Sequence, residues 1–296
     1  MQLIRSTTRA CSQSLGAKQR RPHRFAVAFG LVAFLLASSG VIPSSAQGAT
    51  KATTKTTKTT KTAAKPGVNT PTKGAAPVIT EANPCPSVKS TRVAVMKNTK
   101  MGATVKIYEK TDDSKAPIHT LAIGVESNNT LVFSVIGDEP GWLNVNVPLR
   151  PNGLTGWIKN TPEEIKTYAT PFYVVIQLKR HRLTVCNAGR IIQQESAGIG
   201  IESRVTPTGT FYLVDLIRPK GGPNGAYGPF AFGLSGFSET VFSFNGGDGR
   251  LGIHGTNDPS SLGKAKSSGC IRVSNAGITK MAKTLFLGSP VRIAVD

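Results

Sequence analysis

Cys270 and His254 have the residue types and the spacing of a nucleophile and its base. A nucleophilic thiol needs a base that takes its proton and hydrogen-bond donors that receive a developing oxyanion. Gly269 allows a tight turn before the cysteine, so N–H groups near Cys270 can point at a substrate carbonyl. We expect a thiolate–imidazolium pair, which would lower the thiol pKa. Asp258 or a backbone carbonyl next to His254 could orient the imidazole.

The sequence around these residues resembles a known family. Its segment HGTNDPSSLGKAKSSGCIRVSNAGI, with TPTGTFYLVDL, YGPFAFGLSGF and LFLGSPVRI, resembles the L,D-transpeptidase catalytic domain of actinobacterial type over residues 171–296. The family signature is a His, a spacer, then Ser or Thr, His, Gly and Cys, and Ile-Arg follows in many members. Ser268 stands where the family usually has its second His, so His254 would carry out the proton transfers without that second His.

The resemblance implies a role for each residue at a matching position. Cys270 would be the nucleophile and His254 the general base. The N–H groups of Gly269 and Cys270 would bind the oxyanion, and Arg272 would fix the loop or contact a substrate carboxylate. Tyr227 and Phe230 would form a flap over the acyl-donor groove. Gly255 would offer a backbone carbonyl to His254, and Ser267 and Ser268 would support the site.

A reaction in two acyl-transfer steps follows from the same resemblance. Cys270 would attack the carbonyl of the third, L-configured residue of a peptidoglycan tetrapeptide stem, typically meso-diaminopimelate, and the terminal D-alanine would leave. The thioester would then pass to the side-chain amine of a second stem and give a 3→3 cross-link. We expect no metal and no organic cofactor, and we expect carbapenems to trap the thiolate.

Two other functions are compatible with the same fold. Hydrolysis of the thioester would make the protein an L,D-carboxypeptidase, and a substituted member could be a non-catalytic cell-wall-binding protein. The presence of both Cys270 and His254 favours catalysis. Ser261-Leu-Gly-Lys264 fits the Ser-x-x-Lys motif of serine penicillin-binding enzymes, but the sequence lacks the Lys-Thr-Gly that this chemistry needs. It also lacks His-Glu-x-x-His, which disfavours a zinc peptidase.

Charge is unevenly distributed over the 296 residues. Residues 1–80 hold 12 Lys and Arg and no Asp or Glu, whereas the other 216 residues hold 24 basic and 16 acidic residues. More than half of the net charge of +20 therefore belongs to the N-terminal part. This pattern favours anionic wall polymers or a membrane surface as partners and disfavours nucleic acid, which selects for a concentrated basic face.

The N-terminal residues have the order of an export signal. A basic stretch precedes an apolar run from Phe25 to Ala37, and Ser44-Ser45-Ala46 offers a cleavage site. We therefore predict a signal peptide over residues 1–46 and an exported protein, extracytoplasmic and associated with the cell wall or periplasm. The run is shorter than the ~20 residues that span a bilayer, so no transmembrane domain is expected in the mature form. An extension through Ile42 would make an uncleaved anchor.

The rest of the sequence predicts a mainly β protein. Residues 47–87 are rich in Lys, Thr and Pro and predict a disordered linker. Short alternating runs over residues 88–165, with two Gly-Trp pairs, predict a small SH3-like barrel. Residues 171–296 predict a β-rich, sandwich-like catalytic domain with one or two short helices. The clearest helix is expected from Ala276 to Phe286, with Asn275 as its cap.

Cysteine usage leaves two possibilities open. Removal of the signal peptide would remove Cys11 and leave Cys85, Cys186 and Cys270. An odd number of cysteines in an exported protein indicates an intermolecular pair or a reactive thiol. A bond between Cys85 and Cys186 would leave Cys270 free, but the sequence does not establish this pair.

Overall fold

A computed structural model describes residues 83–124, 130–243 and 247–296. The predicted signal peptide, and the predicted linker up to residue 82, lie outside the described residues. The mainly β fold is confirmed, with one α-helix and two short 3₁₀ turns in the described part of the chain. No helix within these ranges is long and apolar enough to cross a membrane.

Within the described ranges, seven strands precede residue 171 and ten follow it. The first seven are β1 (Thr91–Met96), β2 (Thr104–Ile107), β3 (His119–Ala122), β4 (Val132–Glu139), β5 (Trp142–Asn146), β6 (Thr155–Lys159) and β7 (Ile165–Thr170). The others are β8 (Phe172–Gln177), β9 (Arg182–Asn187), β10 (Arg190–Ser196), β11 (Ile199–Gly200), β12 (Gly209–Ile217), β13 (Ala231–Phe237), β14 (Arg250–His254), β15 (Ala265–Ser267), β16 (Ile271–Arg272) and β17 (Pro290–Ala294). Helix α1 spans Asn275–Thr284, and the 3₁₀ turns span Glu202–Arg204 and Pro259–Ser261.

The upstream strands form an antiparallel sheet in the order β6-β5-β4-β1-β7, beside a β2–β3 hairpin. Their apolar residues point to a separate core that includes Ile107, Phe133, Leu143 and Ile158. Five of the alternating runs within residues 88–165, VKIYE, APIHTLAIG, TLVFSVIG, GWLNVNVPL and TGWIK, each contain all or part of one strand. Strand β7 was not expected, because the mostly exposed edge sequence IKTYAT has little apolar alternation, and its pairing with β1 extends this sheet to Thr170.

The later strands form an eight-stranded sheet in the order β10-β9-β8-β17-β12-β13-β14-β16. Strand β8 is central and almost completely buried, as expected for a strand whose two faces are both covered. The pairs β8–β17 and β14–β16 are parallel. Helix α1 packs Ile278 and Met281 into the core of this sheet, together with Leu213 and Phe232.

Helix α1 begins one residue earlier than expected, and its cap is Ser274 instead of Asn275. Ser274 has extended backbone angles, and its Oγ accepts a hydrogen bond from Gly277 N at 2.9 Å. Such a bond satisfies one of the free N–H groups of the first helical turn. The Asn275 side chain is used elsewhere, because its Oδ1 accepts a hydrogen bond from Thr256 N at 2.8 Å.

Cys85 and Cys186 form a disulfide with an S–S distance of 2.02 Å. The bond is buried against Tyr173 and Val175, and it ties the segment before β1 to strand β9. Among the described residues, Cys270 is the free cysteine. The pairing that the sequence left open is therefore present in the structure.

Side chains connect the upstream sheet to the eight-stranded sheet. Tyr168 Oη donates a hydrogen bond to Leu287 O at 2.6 Å, and Tyr212 Oη donates to Asn146 O at 3.2 Å. The Arg150 guanidinium reaches the segment after β13, where it contacts three carbonyls and two rings: Ser238 O (2.6 Å), Asp248 O (3.0 Å), Val241 O (3.3 Å), Phe237 and Phe242.

Candidate active site

Strands β14 and β16 bring the histidine and the cysteine together. Their parallel register pairs Ile253 with Ile271 and His254 with Arg272. Cys270 precedes β16 by one residue, so it lies level with Gly252 on the neighbouring strand. A Cβ at Gly252 would be 4.0 Å from Cys270 Sγ, so the thiol lies over this glycine.

His254 is 4% exposed and has a defined tautomer. Its Nδ1 lies 2.6 Å from Gly255 O, and because a carbonyl can only accept, Nδ1 carries the proton and Nε2 is the basic nitrogen. Burial lowers the pKa of His254 to about 4; the Arg272 charge acts in the same direction, and the Gly255 hydrogen bond opposes it. The backbone carbonyl is thus the group that orients the imidazole. Asp258 instead accepts hydrogen bonds from Ser260.

Burial raises the pKa of the Cys270 thiol, although a hydrogen bond from the Gly252 backbone and the Arg272 charge oppose this effect. Both pKa shifts favour the uncharged forms, because a buried site stabilises a neutral thiol and a neutral imidazole over the ions. The direction of both shifts opposes formation of the expected thiolate–imidazolium pair. Arg272 lowers the pKa of both groups, so it favours the thiolate and disfavours the imidazolium.

The loop before the thiol is held by hydroxyl groups. Ser267 Oγ donates a hydrogen bond to Cys270 O at 2.6 Å and accepts one from Gly269 N at 3.1 Å. Gly269 N–H is therefore not free to bind an oxyanion, contrary to our expectation. Gly269 has φ +115°, a region that favours glycine. Its carbonyl accepts a hydrogen bond from buried Thr206 Oγ1 at 2.8 Å, and this hydroxyl accepts one from Gly200 N at 2.9 Å.

Two cavities meet at the thiol and the imidazole. The larger, about 600 Å³, lies over strands β12–β14, and residues 130–132 and Pro148 of the upstream strands also line it. The smaller, about 390 Å³, is lined by Ser267, Ser268 and Arg272. Cys270 and His254 line both cavities, so a group bound in either one can reach the reactive atoms.

The structure brings most of the other expected site residues to these cavities. Tyr227 lines both, and its ring lies edge-on to the His254 ring with centroids 4.7 Å apart. Arg272 Nη1 is 4.0 Å from Asp258 Oδ2, and its buried Nε has no hydrogen-bond partner among the described residues. Phe230 lines neither cavity, because it packs against the core with the Arg218 guanidinium 5.1 Å from its ring centroid.

Several residues at the site were not found by sequence reasoning. Thr206 begins the TPTG segment, which was noted for its resemblance only, and Gly252 has no local pattern that marks it. Asp215 and Arg250 both line the larger cavity. Strand pairing brings Asp215, Arg250 and Gly252 to the site, and hydrogen bonds of its hydroxyl bring Thr206 there.

The fold and the site define a mainly β protein in which a half-buried cysteine and a buried histidine line the same two cavities. The YkuD family, described as the L,D-transpeptidase catalytic domain, matches residues 171–293. "Putative L,D-transpeptidase YkuD" of Bacillus subtilis (strain 168) is 33% identical over 126 residues, which cover 43% of this chain and 68% of that protein. The chain therefore belongs to the L,D-transpeptidase family.

Two solved structures are also similar. Bd1075 of Bdellovibrio bacteriovorus has 25% identity and a TM-score of 0.33, with 42% of this chain and 48% of that chain covered. L,D-transpeptidase 3 from Mycobacterium tuberculosis, in complex with a faropenem-derived adduct, has 14% identity and a TM-score of 0.35, with 47% and 72% covered. This chain thus spans about half of the first structure's length.

Proposed function

We propose that this protein is a peptidoglycan L,D-transpeptidase that forms 3→3 cross-links through a thioester on Cys270. One observation carries the proposal: the free thiol and a histidine with an unprotonated Nε2 line the same two cavities. An acyl transfer between two peptides needs a donor site and an acceptor site that meet at the nucleophile. Two connected cavities fit this requirement better than a single pocket for hydrolysis.

In the first step, His254 Nε2 takes the thiol proton as Cys270 Sγ attacks the carbonyl of the third stem residue. The Cys270 N–H and the Arg272 guanidinium would stabilise the negative charge that develops. When the tetrahedral intermediate collapses, the bond to D-alanine breaks and the imidazolium gives its proton to the leaving amine. With a pKa of about 4, the imidazole of His254 is unprotonated near neutral pH, so its Nε2 is available to accept the thiol proton.

In the second step, the side-chain amine of another stem attacks the thioester. His254 takes a proton from this amine, the C–S bond breaks, and the thiol is restored. If water attacks instead, the product is a tripeptide and the protein acts as an L,D-carboxypeptidase. The relative access of amine and water to the second cavity would determine which product dominates.

The first test is the intact mass of the purified protein after incubation with a carbapenem. Wild type should gain the mass of one carbapenem molecule, and Cys270→Ala should gain none. Peptidoglycan tetrapeptides then separate transfer from hydrolysis, because transfer gives cross-linked dimers and hydrolysis gives tripeptides. A folded wild-type protein with a reduced thiol and no adduct would contradict the proposal and favour a non-catalytic wall-binding protein.

We also propose that the protein acts outside the cytoplasm on peptidoglycan stems. Residues 1–46 would direct export, and the basic linker over 47–87 would contact anionic wall polymers. The SH3-like domain proposed for residues 88–165 would orient the catalytic domain over 171–296, and its contribution to one cavity wall supports this role. Fractionation of cells that produce the full chain tests export, since a cytoplasmic location would contradict it.

A further inference from the structure

A row of paired residues crosses the sheet beneath the larger cavity. Asp215 on β12 pairs with Gly233 on β13, and Gly233 pairs with Gly252 on β14. Residues that pair directly across antiparallel strands share one face of the sheet. Cys270 Sγ lies over Gly252 on this face, so the row begins at a carboxylate and ends at the thiol.

The two glycines keep the path between these groups open. A Cβ at Gly233 would lie only 2.5 Å from Asp215 Oδ1, so the carboxylate occupies the space above this glycine. Gly252 has no side chain to fill the space between the carboxylate and Cys270. The floor of the cavity is therefore a trough with a negative charge at one end and the nucleophile at the other.

The carboxylate of Asp215 is half-buried and has no ion pair among the described residues. Its Oδ1 accepts a hydrogen bond from Gly233 N at 2.8 Å, and burial raises the pKa of this side chain. Within the described residues, no Lys, Arg or His nitrogen lies within 4.0 Å of it. Lys220 and Asp248 also line the cavity, but Lys220 is exposed and Asp248 Oδ1 accepts a hydrogen bond from Arg250 N.

A positive charge lies on the same face. Arg250 precedes Gly252 by two residues on β14, and alternate residues of a strand share a face. Its side chain is 30% exposed and lines both cavities. Nη1 donates a hydrogen bond to Leu234 O at 3.1 Å and Nη2 lies 3.8 Å from Asp248 Oδ2, which uses only some of the five N–H donors of a guanidinium. Arg250 is close enough to Asp215 to lower the pKa of that carboxyl, yet the two side chains do not form an ion pair. The trough thus offers a separate site for a cation and for an anion.

We propose that Asp215 and Arg250 bind the far end of the third-residue side chain of the donor stem, an end that carries both an ammonium and a carboxylate. The inference rests on the proposed function. An ammonium binds a carboxylate, and a guanidinium binds a carboxylate through parallel hydrogen bonds. A diamino dicarboxylic acid such as meso-diaminopimelate has both groups on its distal carbon, whereas lysine lacks the carboxylate.

The length of such a side chain fits the trough. Adjacent strands are about 4.8 Å apart, so Asp215 is about 10 Å across the sheet from Gly252. Six bonds join the reacting carbonyl carbon to the distal nitrogen and span about 7 Å when extended. A thiol in attack position is about 3 Å from the carbonyl. The acceptor amine must reach the thioester itself, so Asp215 is too distant to be its base.

Donor selectivity tests this inference. Three tetrapeptides would be compared that carry meso-diaminopimelate, its side-chain carboxamide, or lysine at the third position. We expect wild type to have a kcat/KM about tenfold higher or more for the diamino diacid than for the other two, since a hydrogen bond to a charged group is worth about that factor.

Two variants separate the two charges. Asp215→Asn keeps an acceptor for Gly233 N–H and removes the negative charge, so kcat/KM should fall about tenfold for all three donors. Arg250→Gln should reduce the rate for the diamino diacid to that of its carboxamide, which removes the selectivity. Asp112→Asn changes the net charge equally at an exposed upstream position, and it should keep wild-type values.

Acylation by faropenem, a penem without an amine, distinguishes failure of this inference from failure of the proposed function. Wild type should be acylated by faropenem whether or not Asp215 binds an ammonium, because faropenem has none. Equal use of all three donors by wild type, or wild-type kcat/KM in Asp215→Asn, would overturn the inference and leave a transpeptidase. Wild type that reacts with neither tetrapeptide nor penem would refute both. If Asp215→Asn fails to fold, the relative kcat/KM values of wild type for the three donors, together with those of Arg250→Gln, still test the inference.

Discussion

At the residue scale, the His254 imidazole is almost completely buried, and its Nδ1 donates a hydrogen bond to the Gly255 carbonyl. Enclosure removes the water that would stabilise an imidazolium, which is why burial dominates the pKa. The neighbouring thiol is subject to the same effect. Burial of the two groups therefore favours their neutral forms.

This protonation state has a consequence for stability against pH. The unfolded imidazole binds a proton near pH 6.5, whereas the folded one binds it only near pH 4. Between these values the unfolded state holds more protons, so the free energy of unfolding should fall as the pH is lowered from 6.5 to 4, by up to about 3 kcal/mol. His254→Gln cannot titrate and should show a shallower dependence. Urea denaturation at several pH values measures it, and equal slopes would contradict a buried neutral His254.

At the element scale, the nucleophile loop is fixed by hydroxyl groups that belong to different parts of the sequence. Ser267 satisfies Gly269 N–H and Cys270 O within the loop. Thr206 also holds this loop, because its Oγ1 donates a hydrogen bond to Gly269 O, 63 positions away in the sequence. A short loop that contains a left-handed glycine needs such contacts to keep a single conformation.

Thr206→Val should weaken this support while it keeps the shape of the side chain. The Gly269 carbonyl would lose its donor in a buried site, at a cost of about 1–3 kcal/mol in the free energy of unfolding. Carbapenem acylation should slow about tenfold, because the thiol is less firmly positioned. Thr208→Val is the matched control, since Thr208 is exposed in the same segment. Acylation at the wild-type rate in Thr206→Val would exclude a positioning role for this hydroxyl.

At the scale of the whole molecule, the upstream strands take part in building the active site. Residues 130–132 and Pro148 line the larger cavity. Arg150 holds the segment after β13, which also borders the smaller cavity through Ser238 and Val241. The two β regions are thus joined at the site where substrate is expected to bind.

Arg150→Leu should free this segment. Three carbonyl contacts and two ring contacts would be lost, which we expect to reduce the free energy of unfolding by about 2 kcal/mol. Amide hydrogen exchange should accelerate in residues 238–243 and 247–249, and acylation should slow. Arg92→Leu removes an exposed ion pair with Asp138 and serves as the control. Unchanged exchange in these residues would mean that the upstream strands do not order the segment.

The sequence by itself identified the thiol, the imidazole and the β class, because these depend on residue type and local alternation. It also indicated strands β2 to β6 from their apolar runs, but it missed β1, and it missed β7, whose exposed edge carries little pattern. Tertiary structure decided the rest. Asp215, Thr206 and Arg150 reach the site through contacts between residues far apart in sequence, and Gly269 N–H is taken by Ser267. The pKa shifts of His254 and Cys270 also depend on the tertiary structure, since burial is a property of the folded chain.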